Sequence, residues 1–282
     1  MTMRLPQWIK TGSPADLHGT KYLLRRHGLA TVCEEARCPN RGECFSRPTA
    51  AFMILGRSCT RGCGFCSVHT GPPDPPQRDE PAKVAAAAAE MGLRYVVITS
   101  VTRDDLPDGG SGQFAATVRA LRKELPRAKI EVLTPDFQGD PEALMTVLRS
   151  GPDVFNHNME TVERLYPSVR PEADYCRSLD VLGKAKAAAP GIVVKSGFML
   201  GLGEGPQEVE KLLSDLVAAG ADMVTIGQYL RPTRKNLPVV EYVRPEVFET
   251  LRLRALGMGF RYAASGPLVR SSMNAEEMFD HV

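Results

Sequence analysis

The chain has 282 residues, 43% hydrophobic and 24% charged, which is the balance of an ordinary globular protein with enough length for a large core. A formal net charge of +2 leaves out the strongly basic balance of nucleic-acid or membrane-surface binding. No apolar run exceeds about seven residues against the ~20 of a membrane helix, and Met1-Thr-Met-Arg-Leu-Pro-Gln-Trp8 has no apolar signal core, so a cytoplasmic chain without a membrane span or nucleic-acid partner is expected.

Residues 1–80 hold 11 Lys/Arg against 7 Asp/Glu, consistent with a solvated face or a docking surface for an acidic partner. The first 32 residues are polar and broken by Pro and Gly, with a short helix expected over Leu17–His27 and Trp8 packed on the body of the protein. Six of the seven cysteines then fall between positions 33 and 66. In a cytoplasmic chain disulfides are rare, and such clustering points to metal binding or catalysis.

The first trio, Cys33-Glu-Glu-Ala-Arg-Cys38-Pro-Asn-Arg-Gly-Glu-Cys44, is spaced C-x4-C-x5-C. By itself it admits a zinc knuckle with a ligand borrowed from elsewhere. Beside a second trio close downstream, two iron–sulfur clusters fit better. That second trio, Cys59-Thr-Arg-Gly-Cys63-Gly-Phe-Cys66, follows the apolar run Ala51–Leu55 with spacing C-x3-C-x2-C. Thiolates are soft ligands that select zinc, copper(I) or iron–sulfur clusters. A structural zinc site takes four ligands, whereas three thiolates on a four-iron cluster leave one iron open. Gly62 and Gly64 let the loop fold tightly around a bulky group.

From residue 50 onward, apolar runs alternate with stretches of helical period. Strands are predicted at Ala51–Leu55, Tyr95–Thr99, Ile130–Leu133, Val154–His157, Ile192–Ser196 and Met223–Ile226. Helices are predicted at Ala82–Met91, Gly112–Leu125, Pro141–Arg149, Asp174–Ala188, Pro206–Ala219 and Pro245–Leu256. Asp140-Pro141 and Gly205-Pro206 mark helix starts, and Gly92 and Gly220 mark helix ends. Such a series of strand–helix units predicts a parallel sheet with right-handed crossovers. The expected fold class is α/β: a partial (β/α)6 TIM-type barrel with N-terminal and C-terminal extensions covering the barrel mouth.

In barrels the chemistry sits at the C-terminal strand ends. The Cys59–Cys66 loop occupies such a place, and polar residues gather at others: Ser100-Val-Thr-Arg103-Asp-Asp-Leu-Pro-Asp-Gly-Gly110, Asn156-His-Asn-Met-Glu160, Lys195-Ser-Gly with Gly201-Leu-Gly-Glu204, and Gly227-Gln-Tyr-Leu230. Gly201-x-Gly203-x-Gly205 lacks the dinucleotide-binding spacing and reads equally as a tight turn. His157 alternates with the two asparagines, so strand geometry turns it the other way. Cys176, alone in a helix, reads as a structural thiol. Arg270-Ser271-Ser272, by itself, reads as a serine cap for a last helix Ala275–Phe279.

The C-x3-C-x2-C loop after a strand resembles the radical S-adenosylmethionine superfamily. Its flanks, Met53-Ile-Leu-Gly56 and Phe65-Cys-Ser-Val68, with both trios, the strand-tip segments above and Arg270-Ser271-Ser272, resemble the lipoyl synthase family over nearly the whole chain. The resemblance implies a sulfurtransferase that uses a 5′-deoxyadenosyl radical to insert two sulfur atoms at carbons 6 and 8 of a protein-bound octanoyl-lysine. It implies two 4Fe-4S clusters and S-adenosylmethionine as cofactors. Cys59, Cys63 and Cys66 inherit the cluster that binds S-adenosylmethionine. Cys33, Cys38, Cys44 and Ser271, with Ser272 the alternative, inherit the auxiliary cluster that donates sulfur.

Asn156, Asn158 and Glu160 are candidates for the cofactor's ribose hydroxyls or amino group, and Lys195 for a carboxylate. The implied divisions are an N-terminal extension 1–49 with the auxiliary-cluster cysteines, a barrel 50–256, and a C-terminal extension 257–282 with the serine. Implied partners are an octanoylated carrier (a glycine cleavage H protein or a 2-oxoacid dehydrogenase acyltransferase domain), an electron donor of ferredoxin or flavodoxin type, and iron–sulfur carriers. The chain departs from the family's usual text at Met273, Arg57, Asn236 and Glu241. Rival readings are another two-cluster enzyme of the superfamily, biotin-synthase-like or methylthio-transferring, and a zinc-binding module.

Overall fold

The computed structural model describes residues 4–9, 18–46 and 51–279. By internal contacts the chain divides into two units. The N-terminal unit comprises Gly12–Arg61 and Val68–Phe155, and the C-terminal unit Met1–Thr11, Gly62–Ser67 and Asn156–Val282. Leu17 and the expected 49/50 division lie outside the described residues.

The N-terminal unit begins with α1 (His18–Arg26), β1 (Ala30–Thr31), α2 (Val32–Glu35) and α3 (Arg41–Ser46). There follow β2 (Ala51–Ile54), a small parallel pair β3 (Ser58–Cys59) and β4 (His69–Thr70), then α4 (Glu80–Glu90), β5 (Tyr95–Ser100), α5 (Ser111–Glu124), β6 (Lys129–Leu133), α6 (Pro141–Arg149) and β7 (Val154–Asn156), whose last residue is counted with the C-terminal unit. β1 is antiparallel to β2, and β2, β5 and β6 pair in parallel in chain order. Ile54 pairs with Ser100 and Thr99 with Leu133, which sets the loops after these strands at one end. β2 is buried throughout and β5 except at its ends, as in a parallel sheet covered on both faces. The Arg103–Gly110 motif is largely explained by that loop end. Fully buried Arg103 forks onto Asp105 at 2.9 and 2.8 Å and donates to the Leu55 carbonyl, while Asp108 accepts from the N–H groups of Gly110 and Gly112.

The C-terminal unit carries α7 (Tyr166–Val169), α8 (Tyr175–Ala188), β8 (Val193–Leu200), α9 (Pro206–Ala218), β9 (Met223–Gln228), α10 (Pro245–Met258), β10 (Tyr262–Gly266) and α11 (Ala275–Phe279). β8, β9 and β10 are parallel neighbours in chain order. α9 buries Val209, Leu212, Leu213 and Leu216, a stripe at helical spacing.

Every predicted strand and helix forms close to its expected ends, with one larger difference. β8 runs on to Leu200 where the strand was expected to stop at Ser196, so Lys195 lies inside a strand and not at its tip. β10 escaped the sequence reading because Tyr-Ala-Ala-Ser-Gly has no β-branched residue and buries only Ala263; pairing with β9 makes it a strand. α2, α3 and α7 are too short for periodicity to reveal. Among the described residues, no helix is long and apolar enough to cross a membrane.

Candidate cluster and cofactor site

In the N-terminal unit, the first cysteine trio is wound into short helical turns. The Thr31 side chain caps α2 by accepting from Glu34 N–H. Cys38 N–H donates to the Cys33 carbonyl at 3.1 Å, and Cys44 N–H to the Asn40 carbonyl at 2.9 Å. Burial, and then the charges of Cys38 and Cys44, push the Cys33 thiol up to about 12.

Cys59 ends β3, and the loop after β5 grips the residues from Cys59 to Arg61. Thr102 N–H donates to Cys59 Sγ at 3.3 Å. Thr60 donates to the Thr102 carbonyl through both N–H (3.1 Å) and Oγ1 (3.0 Å), and its Oγ1 accepts from Asp104 N–H at 3.1 Å. Arg61, only 6% exposed, forks onto Asp104 at 2.6 and 2.9 Å and reaches fully buried Asp136 at 2.7 Å. Burial opposes the Arg61 charge, but the two carboxylates outweigh it and hold the guanidinium protonated well above its ordinary range.

Cys63 and Cys66 belong to the C-terminal unit, which holds its part of the loop separately. Cys66 N–H donates to the Cys63 carbonyl, Gly64 N–H to the Val169 carbonyl at 2.9 Å, and Leu237 N–H to the Gly64 carbonyl at 3.0 Å. Gly62 N–H donates to a Glu172 carboxylate oxygen at 3.3 Å. A Cβ on Gly64 would sit 2.9 Å from Leu237 and 3.1 Å from the Ser168 carbonyl, so glycine here serves close packing of the loop on its own unit. Asn236 Nδ2 donates to the Cys66 carbonyl at 2.6 Å, which gives this departure from the family text a loop-holding task.

The expected cofactor residues converge only in part. Asn158 Nδ2 donates to Glu160 at 3.0 Å and to Ser271 Oγ at 3.4 Å, and Lys195 Nζ donates to the Ser271 carbonyl at 2.5 Å. Asn158, Glu160, Lys195 and Ser271 therefore form one connected group. Asn156 is fully buried at the end of β7, as is His157 beyond it, where strand alternation no longer applies. Glu160 has φ of 64°, a left-handed conformation costly for a residue with a side chain and common at ligand sites. Burial pushes its carboxyl up, opposed by the charge of Arg170, the Asn158 hydrogen bond and the charge of Arg270.

The glycine series is a turn, with φ of 102° at Gly201 and 105° at Gly203. Cys176, read as a structural thiol, is exposed in the first turn of α8, whose inward position is taken by buried Tyr175.

The residues present fit the groups expected of them. All six clustered cysteines are half-buried and outside any disulfide, a soft donor set. Among the described residues, no three His, Cys, Asp or Glu side chains converge as closely as a single ion requires. A four-iron cluster instead takes one thiolate at each of several irons. Near Glu160, Asn158 Oδ1 is buried without a hydrogen-bond partner, an acceptor suited to a cofactor hydroxyl. Sequence reasoning placed Thr102 at a polar strand tip but missed its contact with Cys59, and it missed Asp136 and the gripping role of Arg61. An arginine between two cysteines, with Asp104 in a strand-tip motif, was the available signal.

Residues 53–216 match the model of the Radical SAM superfamily. The lipoyl synthase of Rubrobacter xylanophilus is 54% identical over 274 residues, covering 96% of this chain and 85% of that protein. The lipoyl synthase of Klebsiella pneumoniae is 51% identical over 278 residues, covering 97% and 87%. Among solved structures, methylornithine synthase aligns with a TM-score of 0.56 at 18% identity over 86% of this chain and 74% of its own. The coproporphyrinogen III oxidase of Escherichia coli, a radical SAM enzyme, aligns with a TM-score of 0.55 at 13% identity over 89% and 60%. These likenesses agree with the α/β partial barrel, built on a mostly parallel sheet, that the strand pattern predicts. On sequence identity over nearly its full length, the chain belongs to the lipoyl synthase family of the radical SAM superfamily.

Proposed function

We propose that this chain inserts sulfur at carbons 6 and 8 of a protein-bound octanoyl-lysine, with an auxiliary iron–sulfur cluster as the sulfur donor. Family membership makes it a sulfur-inserting enzyme with a 4Fe-4S cluster and S-adenosylmethionine. The observation that carries the finer reading is the two cysteine trios, none of whose members forms a disulfide, in such a chain. When bound, S-adenosylmethionine with its cluster supplies a radical able to take hydrogen from an unactivated methylene, and the auxiliary cluster supplies sulfur.

The residues divide the work. Cys59, Cys63 and Cys66 hold the first cluster, and Cys33, Cys38 and Cys44 hold the second, with Ser271 as its fourth ligand and Ser272 as the alternative. A serine oxygen is a hard ligand on a soft site, so that corner is the easiest to release. Asn156, Asn158 and Glu160 meet the cofactor's hydroxyl and amino groups, and Lys195 its carboxylate. The extension 1–49, the barrel 50–256 and the extension 257–282 carry these parts. The substrate is an octanoylated carrier, either a glycine cleavage H protein or a 2-oxoacid dehydrogenase acyltransferase domain. A ferredoxin- or flavodoxin-type donor supplies electrons, iron–sulfur carriers supply clusters, and the reaction takes place in the cytoplasm.

Anaerobic turnover with S-adenosylmethionine, a reductant and an octanoylated lipoyl-domain peptide tests this. The expected product gains two sulfur atoms per octanoyl chain. Changing Cys33, Cys38 and Cys44 together to alanine should abolish the gain while S-adenosylmethionine is still cleaved. Sulfur insertion by that variant at the wild-type level would refute the assignment of the sulfur donor.

A further inference from the structure

The segment that follows β10 is docked on its own unit by several independent contacts. Gln228 N–H donates to the Pro267 carbonyl at 3.3 Å, and a Cβ on Gly227 would lie 2.3 Å from the Val269 carbonyl, so the segment lies directly on the end of β9. Arg270 Nη1 turns back onto the Val269 carbonyl at 2.6 Å, and Met273 N–H closes a turn onto the Arg270 carbonyl. Two side chains then reach Ser271 itself. Lys195, fully buried in β8, donates to its carbonyl, and Asn158 donates to its hydroxyl.

A buried ammonium is costly unless it is hydrogen-bonded. The main-chain oxygen of Ser271 gives the buried Lys195 Nζ a hydrogen-bond acceptor, and the same bond fixes where Ser271 stands. Asn158 acts on the other part of the same residue, the Oγ that would meet iron.

We propose that Lys195 and Asn158 are positioning residues for Ser271, Lys195 fixing its main chain and Asn158 aiming its hydroxyl, so that a residue pair at the cofactor side controls how firmly the serine corner of the auxiliary cluster is held. This rests on the reading of Ser271 as a cluster ligand. The link to Glu160 through the same Asn158 carboxamide ties the serine to the cofactor side of the unit.

The test is amide hydrogen exchange on the anaerobically reconstituted full chain, followed at Val269 and Met273, whose N–H groups are hydrogen-bonded within the segment. A second readout is the rate of iron release to a chelator in a background carrying Cys59→Ala, Cys63→Ala and Cys66→Ala, where only the auxiliary cluster remains. Lys195→Met, which keeps the aliphatic stem, should speed exchange at these two amides about tenfold or more, the loss expected of a charge-assisted hydrogen bond. Amides of β8 and β9 should keep their protection. Iron release should quicken in the direction set by Ser271→Ala.

Wild-type exchange at Val269 and Met273 in Lys195→Met would overturn the inference. Should that variant not fold, Asn158→Ala, at a half-buried site, carries the test alone: unchanged iron release there would overturn it equally. If Ser271→Ala releases iron at the wild-type rate while Lys195→Met still loosens the segment, the ligand reading fails and the positioning role stands.

Discussion

Thr102 donates its backbone N–H to Cys59 Sγ at 3.3 Å, so the loop after β5 touches the first cysteine of the C-x3-C-x2-C motif directly. The same loop supplies Asp104 to Arg61, two residues further along the motif. Hydrogen bonds to cluster sulfur are among the factors that set reduction potential. With Cys59 as the cluster ligand proposed above, the loop would carry both the mechanical hold on that cysteine and part of its electrostatics.

Arg61→Met removes the cation between Asp104 and Asp136. With Asp136 fully buried, the uncompensated carboxylate should cost about 3–5 kcal/mol of stability. Denaturant unfolding measures this, and adding Asp136→Asn should recover part of the loss. A double variant no more stable than Arg61→Met would show that the ion pair is not the cause.

Asn236→Ala deletes the hydrogen bond to the Cys66 carbonyl. The expected loss is about 1 kcal/mol, seen as faster exchange at Leu237, whose N–H is bonded to the Gly64 carbonyl in the same loop. Unchanged exchange there would mean that the loop is held without Asn236.

Gly201→Ala is expected to cost more than about 1 kcal/mol, because φ is 102° and the new Cβ would fall 2.1 Å from Gln228 Nε2. Gln228 is fully buried, and its Nε2 donates to the carbonyls of Leu200, Tyr229 and Glu241, so it has little freedom to move aside. Thermal unfolding of the variant at wild-type temperature would contradict this account.

Glu208 offers a pH test. The Arg164 hydrogen bond, followed by the Gly205 N–H, lowers its carboxyl from 4.5 to about 2. Its folded value lies below its unfolded one, so the stability it contributes is complete above the ordinary carboxylate range and disappears as pH falls from about 4.5 toward 2. Wild type should therefore exceed Glu208→Gln at neutral pH and converge with it near pH 2. A stability difference constant across that window would rule the carboxylate out.

Iron content separates the two trios. Reconstituted protein should hold about eight irons per chain, and removal of either trio should leave about four. Zinc in place of iron would return the first trio to the knuckle reading.

Much of the fold was legible because parallel strands and their helices carry strong periodic signals. The stripe Val209, Leu212, Leu213 and Leu216 and the buried run Ala51–Ile54 are of this kind. β10 was not legible, since alanine, serine and glycine become a strand only by pairing with β9. Cysteine spacing marked the candidate ligands, but not what holds them. Arg61 with Asp104 and Asp136 brings together residues from three separate strand ends, and Asn236 reaches Cys66 across 170 positions of sequence. Contacts of that range depend on register, which spacing along the chain does not encode.

The carboxamide of Asn158 is flat, so its oxygen and nitrogen turn together about one bond. Its Nδ2 hydrogens are directed at Glu160 and Ser271, and its Oδ1 has no partner. A guest seated on that oxygen would therefore tilt the hydrogen aimed at the serine, giving the two neighbours a shared lever with a single hinge.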